Sequence, residues 1–316
     1  MSDTTHAIDP AFVRLPKITI SNNRWLLRAL SLLVSFSRLF HRWGKGVVAT
    51  RHSIPGRDGN TIKVIEIAPK SLTSLAPAII YFHGGGFFMT YGAGHLKLAE
   101  AYAEKLQVRV YFVSYRLATK SIFPGPLNDS MAALDWVYAN SSSLHVDPER
   151  IAVMGDSAGG CLAASVTQQS FDESNVAGTA QKIRAQVLIY PVIDSDCKTE
   201  SATQFHDTPL WNAHNNAVMW GIYMGEASHP GVPPEYASPM HRADFNGLAP
   251  AYIESAEFDP LRDEALAYGD ALSRAGVEVR QSMIGAAVHG YDHVDCEISS
   301  QAKSERLAQI KALLCD

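Results

Sequence analysis

Ile151-Ala152-Val153-Met154-Gly155-Asp156-Ser157-Ala158-Gly159-Gly160 is the stretch on which the reading of this chain turns. Four apolar residues of buried-strand type run into Gly-Asp-Ser-Ala-Gly, and Cys161-Leu162-Ala163-Ala164-Ser165-Val166 continues as a small-residue helix. A strand that reverses sharply into a helix pushes its corner residue out of the backbone. The flanking glycines let strand and helix pass without colliding Cβ atoms. A serine at such a corner is presented as a nucleophile. Ser157 is therefore the first candidate catalytic residue.

The pattern around this corner predicts an α/β fold. Apolar strands are expected at Ala78–Phe82, Val108–Val113, Ile151–Met154, Val187–Tyr190, Ala251–Ala256 and Val277–Met283. Helical stretches alternate with them at Gly94–Leu106, Leu127–Ser141, Ala158–Ser170, Leu261–Ala275 and Ser300–Leu314. Nearly continuous apolar strands alternating with helices imply a mostly parallel sheet covered on both faces. Before them, Val47–Ile54 and Thr61–Ala68 flank Pro55-Gly56-Arg57-Asp58-Gly59, a hairpin signal and an antiparallel start.

Two segments break the rhythm. From Asp194 to about Asp244 no strand is convincing, while Trp211, Met219, Trp220, Tyr223, Met224 and a Pro-rich piece (Pro230, Pro233, Pro234) suggest an inserted helical cap. The expected division is an N-terminal helical segment over 1–50, a catalytic domain over 51–193 and 245–316, and a cap over 194–244. In the N-terminal segment, Leu26, Leu27, Leu30, Leu33, Val34 and Phe36 form an apolar stripe of helical period. Arg28, Arg38, His41 and Arg42 interrupt it, so stable membrane insertion is not expected. The helix either lies on the protein's own surface or on a membrane surface.

Composition narrows the partners. The 316 residues carry a net charge of −5 and a pI near 6.2, with no basic stripe of the kind that binds nucleic acid. Cys161, Cys197, Cys296 and Cys315 are scattered, which favours reduced thiols in a cytoplasmic protein over disulfides or a metal site. Met1-Ser2-Asp3-Thr4-Thr5 lacks the basic start and apolar core of a secretory signal.

A serine nucleophile needs a base, a group that orients the base, and donors for an oxyanion. His83-Gly84-Gly85-Gly86-Phe87 follows the strand Ala78–Phe82. Consecutive glycines leave N–H groups uncovered, either as an oxyanion hole or merely as a flexible loop. With Ser157 in the same sheet, the N–H groups of Gly85, Gly86 and Ala158 are the candidate donors. Asp259 stands at the C-terminal end of its strand, where open α/β sheets collect their functional groups, with Glu257 as its rival. Asp263 and Glu264 read as first-turn residues of the next helix. His289, in the loop after the last strand, is the candidate base, with His293 as runner-up.

These pieces together resemble the hormone-sensitive-lipase-like branch of the α/β-hydrolases. The match rests on His83–Phe87, Tyr115-Arg116-Leu117-Ala118, Gly155–Gly160, Tyr190-Pro191-Val192, Asp259–Glu264 and His289-Gly290. The resemblance implies an eight-stranded sheet, a cap built partly from the N-terminal segment, and hydrolysis of short- to medium-chain acyl esters without a cofactor or metal. It implies Ser157, Asp259 and His289 as the triad, and a supporting role for His83 in the glycine loop. Thr119-Lys120 replaces the Pro-Glu common in the branch. Phe87, Phe88, Trp211, Met219 and Trp220 form either an acyl pocket or ordinary cap packing.

An amidase, lactonase or acyltransferase with the same triad is an alternative, as is a non-catalytic receptor for a small apolar molecule. The last strand is expected at a sheet edge, and its pairing would give a homodimer.

Overall fold

The computed structural model describes residues 8–178, 183–225 and 232–315. Met1–Thr5 and Pro230 lie outside the described residues, as does the Cys315 side chain. Eight strands form one sheet: β1 (Val47–Pro55), β2 (Thr61–Pro69), β3 (Ala76–Phe82), β4 (Arg109–Ser114), β5 (Val146–Asp156), β6 (Ala185–Ile189), β7 (Ala251–Phe258) and β8 (Val279–Val288). Their order is β1-β2-β4-β3-β5-β6-β7-β8. β1 and β2 pair antiparallel, as do β2 and β4, and all other neighbours are parallel. The fold is that of an α/β-hydrolase, and β8 lies at an edge.

Successive side chains of a strand point to opposite faces, so the parallel strands split the interior into two cores. Ile80, Phe82, Val153, Leu188 and Ile253 join one core, with α4 (Gly125–Ala139), α5 (Ala158–Ala177) and α8 (Arg262–Arg274). Ile79, Tyr81, Met154, Val187 and Tyr252 join the other, with α3 (Ala93–Leu106) and α9 (Glu297–Cys315). Between β6 and β7 the described residues contain α6 (Glu200–Gln204), α7 (Ala213–Met224) and two short 3-10 turns, but no strand. The N-terminal segment adds a single turn, α1 (Pro10–Val13), and α2 (Arg24–Phe36) with a 3-10 extension at Ser37–Phe40.

The apolar stripe expected on α2 does not form one inward face. Leu27 is buried and Leu30 and Val34 are half-buried, but Leu26, Leu33 and Phe36 point into solvent. The helix is apolar on both sides, so periodicity alone did not say which side packs.

A buried ion-pair network anchors α9 to the sheet. Arg306, 1% exposed, donates to Glu254 of β7, to Asp292 at 2.7 Å and to the Tyr102 hydroxyl at 2.7 Å. Asp292 also accepts from the Tyr190 hydroxyl, and Tyr291 donates to Glu254. A charge taken out of water this completely persists only when fully paired. Here the pairing pins the loop 289–293 over the strand ends.

Candidate active site

β5 ends at Asp156, and α5 begins at Ala158, leaving one residue for the reversal. Ser157 adopts φ 55° and ψ −120°, a conformation that costs a non-glycine residue about 1–3 kcal/mol. Its neighbours hold it there. The Ser157 N–H donates to Ile189 O at 2.9 Å, and its carbonyl accepts from Val192 N–H at 3.1 Å. Strand and helix cross so closely that a Cβ on Gly155 would sit 2.1 Å from Gly159 O, and one on Gly159 would sit 2.0 Å from Phe82 O. Both positions require glycine.

The three distant side chains meet at this corner. His289 Nε2 lies 2.9 Å from Ser157 Oγ, and His289 Nδ1 lies 2.7 Å from Asp259 Oδ2. Asp259 is wholly buried, and its Oδ1 accepts from the Leu261 N–H at 2.9 Å. With Nδ1–H donated to the carboxylate, Nε2 is left as an acceptor for the serine hydroxyl. The rivals fall elsewhere. Glu257 accepts from the Ala286 N–H, and His293 lies against His95.

The glycine loop follows β3. Gly85 and Gly86 have φ of 116° and 58°, values that side chains rarely adopt. The N–H groups of Gly85, Gly86 and Ala158 have no acceptor in the loop and cap hydrogen bonding of the described residues. His83 lies beneath the loop. Its ring stacks on Tyr115 at 4.4 Å, its Nδ1 is 2.7 Å from Gly84 O, and the Tyr115 hydroxyl donates to its carbonyl. Burial, with His95 beside it, pushes the His83 imidazole down to about 3, so it is neutral at physiological pH.

Asp156 carries a role that the motif alone did not disclose. Its Oδ2 accepts from Gly84 N–H at 3.0 Å, and its Oδ1 accepts from the Tyr81 hydroxyl at 2.6 Å. His95 Nε2 lies 3.6 Å from Oδ2. Burial opposes the carboxylate's charge, but His95 and the Tyr81 hydroxyl outweigh it and hold the carboxyl well below its usual range. Asp156 thus ties the glycine loop to the serine corner. His95, Asp156 and His293 present ligand atoms within 4.8 Å of one another, a spacing that could hold a metal ion. Gly92 N–H donates to His95 Nδ1, however, which leaves the ring proton on Nε2 facing Asp156. That tautomer makes His95 a donor rather than a ligand.

The aromatic residues close over the corner. The Trp211 ring lies 5.8 Å from His289, and a Cβ on Gly86 would meet Trp211 at 3.0 Å and Phe88 at 2.6 Å. Phe87 stacks on Tyr223 of α7 at 3.8 Å and lies 6.5 Å from Trp220. Met219 is fully buried in the same core. Trp211 and Phe88 border the glycine loop, with Trp211 also beside His289, and Phe87, Trp220 and Met219 lie in the same buried cluster. Ser157 and His289 are only 5% and 7% exposed. A cavity of about 530 Å³ opens at the opposite end of the strands beside Ile183, Arg184 and Ala249. The side-chain geometry, not that cavity, marks this site.

Glu264 is more than a first-turn residue. It is buried, and its Oε1 accepts from Ile193 N–H at 2.7 Å and Asp194 N–H at 3.3 Å, tying α8 to the loop after β6. Asp263 accepts from Ser201 N–H of α6.

A family model described as the alpha/beta hydrolase fold matches residues 79–293. The chain belongs to the α/β-hydrolase family, in its hormone-sensitive-lipase-like branch. This hydrolase is 36% identical over 264 residues to Carboxylesterase NlhH of Mycobacterium tuberculosis, covering 82% of this chain and 81% of that protein. It is 33% identical over 243 residues to ethyl acetate hydrolase of Pseudomonas putida, covering 76% and 74%. Among solved structures, Bacterial Heroin Esterase superposes with a TM-score of 0.86 at 34% identity, covering 98% of this chain and 99% of that one. With esterase relatives over most of its length, the α/β-hydrolase is a carboxylesterase. No helix among the described residues is long and apolar enough to cross a membrane.

Proposed function

We propose that this carboxylesterase cleaves short- to medium-chain acyl esters through an acyl-enzyme intermediate on Ser157. The observation that carries the reading is the continuous chain from Ser157 Oγ to His289 Nε2 at 2.9 Å and from His289 Nδ1 to Asp259 at 2.7 Å. Ser157 Oγ attacks the ester carbonyl carbon as His289 Nε2 takes the hydroxyl proton. Asp259 keeps the imidazole oriented and stabilises its cationic form. The N–H groups of Gly85, Gly86 and Ala158 receive the tetrahedral oxyanion, each donor contributing about 10²–10³ in rate. Collapse expels the alcohol, which takes the proton back from His289. Water, deprotonated by the same imidazole, then releases the acid and restores Ser157.

The chain-length assignment draws support from the close aromatic wall. Phe88 and Trp211 both border Gly86, and Trp211 lies 5.8 Å from His289, so bulky aromatic side chains wall the glycine-loop side of the serine. The Trp211 indole N–H is buried without a hydrogen-bond partner, so it is available to a polar atom of the substrate.

The test has two parts. Ser157→Ala should lower kcat by about 10⁴–10⁶ with an unchanged melting temperature, and should lose labelling by a fluorophosphonate probe. A panel of p-nitrophenyl esters should peak between butyryl and octanoyl. Near-normal turnover by Ser157→Ala would overturn the nucleophile, and a peak at palmitoyl would overturn the chain length.

A further inference from the structure

Helix α2 turns an apolar stripe outward as well as inward. At 100° per residue, Trp25, Leu26, Ala29, Leu32, Leu33 and Phe36 share one stripe about 120° wide, and all six are exposed. The opposite side, against the protein, carries Leu27, Leu30 and Val34 together with serines. Ser31 Oγ accepts from Thr90 N–H at 2.9 Å, and Ser37 Oγ, one residue past the helix, accepts from Ala93 N–H at 2.9 Å. A helix that serves only its own core places its apolar stripe inward. Here Leu27 and two serines dock the helix, while a second apolar stripe faces water.

The exposure is concentrated. Among the described residues, nine of the thirteen exposed large hydrophobics lie between Val13 and Phe40, with Trp25 77%, Leu39 76% and Phe40 84% exposed. From Pro10 to Arg57 the sequence has nine Lys or Arg and no Asp or Glu, in a chain of net charge −5; Lys17 pairs with Asp207, Arg57 pairs with Asp135 and Glu173, and Glu100 accepts from Gly44 N–H. The whole-chain average had concealed this basic stretch.

A cleft of about 380 Å³ flanks the stripe, lined in part by Arg38, Arg51, His41, Trp43 and Leu39. His41 is 3% exposed at its side chain, and neither ring nitrogen has a hydrogen-bond partner; the nearest carboxylate, Glu100, is 3.7 Å away.

We propose that α2 and its extension to Phe40 form an interfacial docking surface for an anionic phospholipid bilayer. Trp25, Leu26, Leu33, Phe36, Leu39 and Phe40 enter the boundary between headgroups and acyl chains. Arg24, Arg42 and Lys45, all exposed, meet the phosphates. Charge complementarity selects this occupant. A nucleic acid would use the cations but not the apolar stripe, and a neutral apolar partner would use the stripe but not the cations.

The surface also bears on the site. Ser31 and Ser37 hold Thr90–Ala93, just past the glycine loop, and Arg28 donates to Thr119 O at 2.6 Å. Docking would therefore bring the glycine-loop side of the site against the lipid. The proposal does not depend on the triad, because binding is read without turnover.

The experiment is flotation of the full chain with phosphatidylcholine vesicles, with and without about 30% phosphatidylglycerol, at low and high salt. The expected result is binding to the anionic vesicles only, released by salt. Leu33→Ser with Phe40→Ser should weaken the partition by at least about tenfold while leaving hydrolysis of a soluble short ester and the melting temperature unchanged. The Trp25→Phe variant should lose the blue shift of fluorescence on vesicle addition. Absence of binding at low salt overturns the proposal, as does equal binding by the double variant. So does a dimer in light scattering that the double variant dissociates, which would give the stripe to a second copy.

Discussion

Two Asp–His pairs flank the serine corner, and their difference shows how one rim keeps a mobile proton apart from a fixed scaffold. In the first pair, His289 donates Nδ1–H to Asp259 and turns Nε2 to Ser157 Oγ. In the second, His95 takes an N–H from Gly92 on Nδ1 and turns Nε2 to Asp156. The first imidazole has its acceptor nitrogen aimed at a hydroxyl. The second has its acceptor nitrogen used up by the backbone, so it can only hold its carboxylate. Asp156 and Ser157 are adjacent in sequence, yet the turn sends one side chain under the glycine loop and the other toward His289. The strained conformation at Ser157 is what separates them.

Breaking the first pair should have the larger effect. Asp259→Asn keeps the shape but can place the ring proton on the wrong nitrogen, and should lower kcat by about 10⁴ with little change in melting temperature. A loss under tenfold would mean that Asp259 does not orient the base. Breaking the second pair should be milder and of a different kind. Asp156→Asn weakens the hold on Gly84 N–H and so loosens the neighbouring donors Gly85 and Gly86. Steady-state kinetics should show kcat down by about 10² with KM little changed, since the oxyanion exists only in the transition state. If only thermal stability falls, the second pair is structural and does not position the oxyanion donors.

The two pairs were not equally legible. Ser157, Asp259 and His289 could be chosen from the sequence because each sits just past an apolar strand, and their order along the chain matches one known arrangement. The alternating strands and helices were readable for the same reason: buried parallel strands are apolar nearly throughout, from Ala78–Phe82 to Ala251–Ala256. Asp156 was in plain view inside its motif, but its direction depends on a φ of 55° at the next residue, which no periodicity encodes. His95 gave no signal at all, being one polar residue early in α3. Helix α2 shows the complementary limit. Its stripe was visible, but a stripe does not carry a label for inside or outside, and only the inner contacts, Leu27 in the core and the serines that bond Thr90 and Ala93, settle it.

A third carboxylate sharpens the contrast because it has no imidazole. Glu264 is 1% exposed; Oε1 accepts two backbone N–H groups, and Oε2 has no partner. Burial is the dominant influence and outweighs the two N–H groups, so the carboxyl titrates well above its ordinary value. The sign of the pH effect follows. Below the ordinary glutamate value, native and unfolded chains are both protonated, and the contribution to stability is fully present. As pH rises, the unfolded chain ionises first, and stability is lost until the native group also ionises, at up to about 1.4 kcal/mol per pH unit. Glu264→Gln keeps an oxygen for Ile193 and Asp194 N–H but cannot ionise. Its stability relative to the parent chain should therefore improve on going from pH 4.5 to pH 7.5, by about 1 kcal/mol or more in urea unfolding. An identical difference at both pH values would mean that Glu264 is ionised in the native protein, and that an unpartnered buried carboxylate is tolerated beside Asp259 without a histidine to balance it.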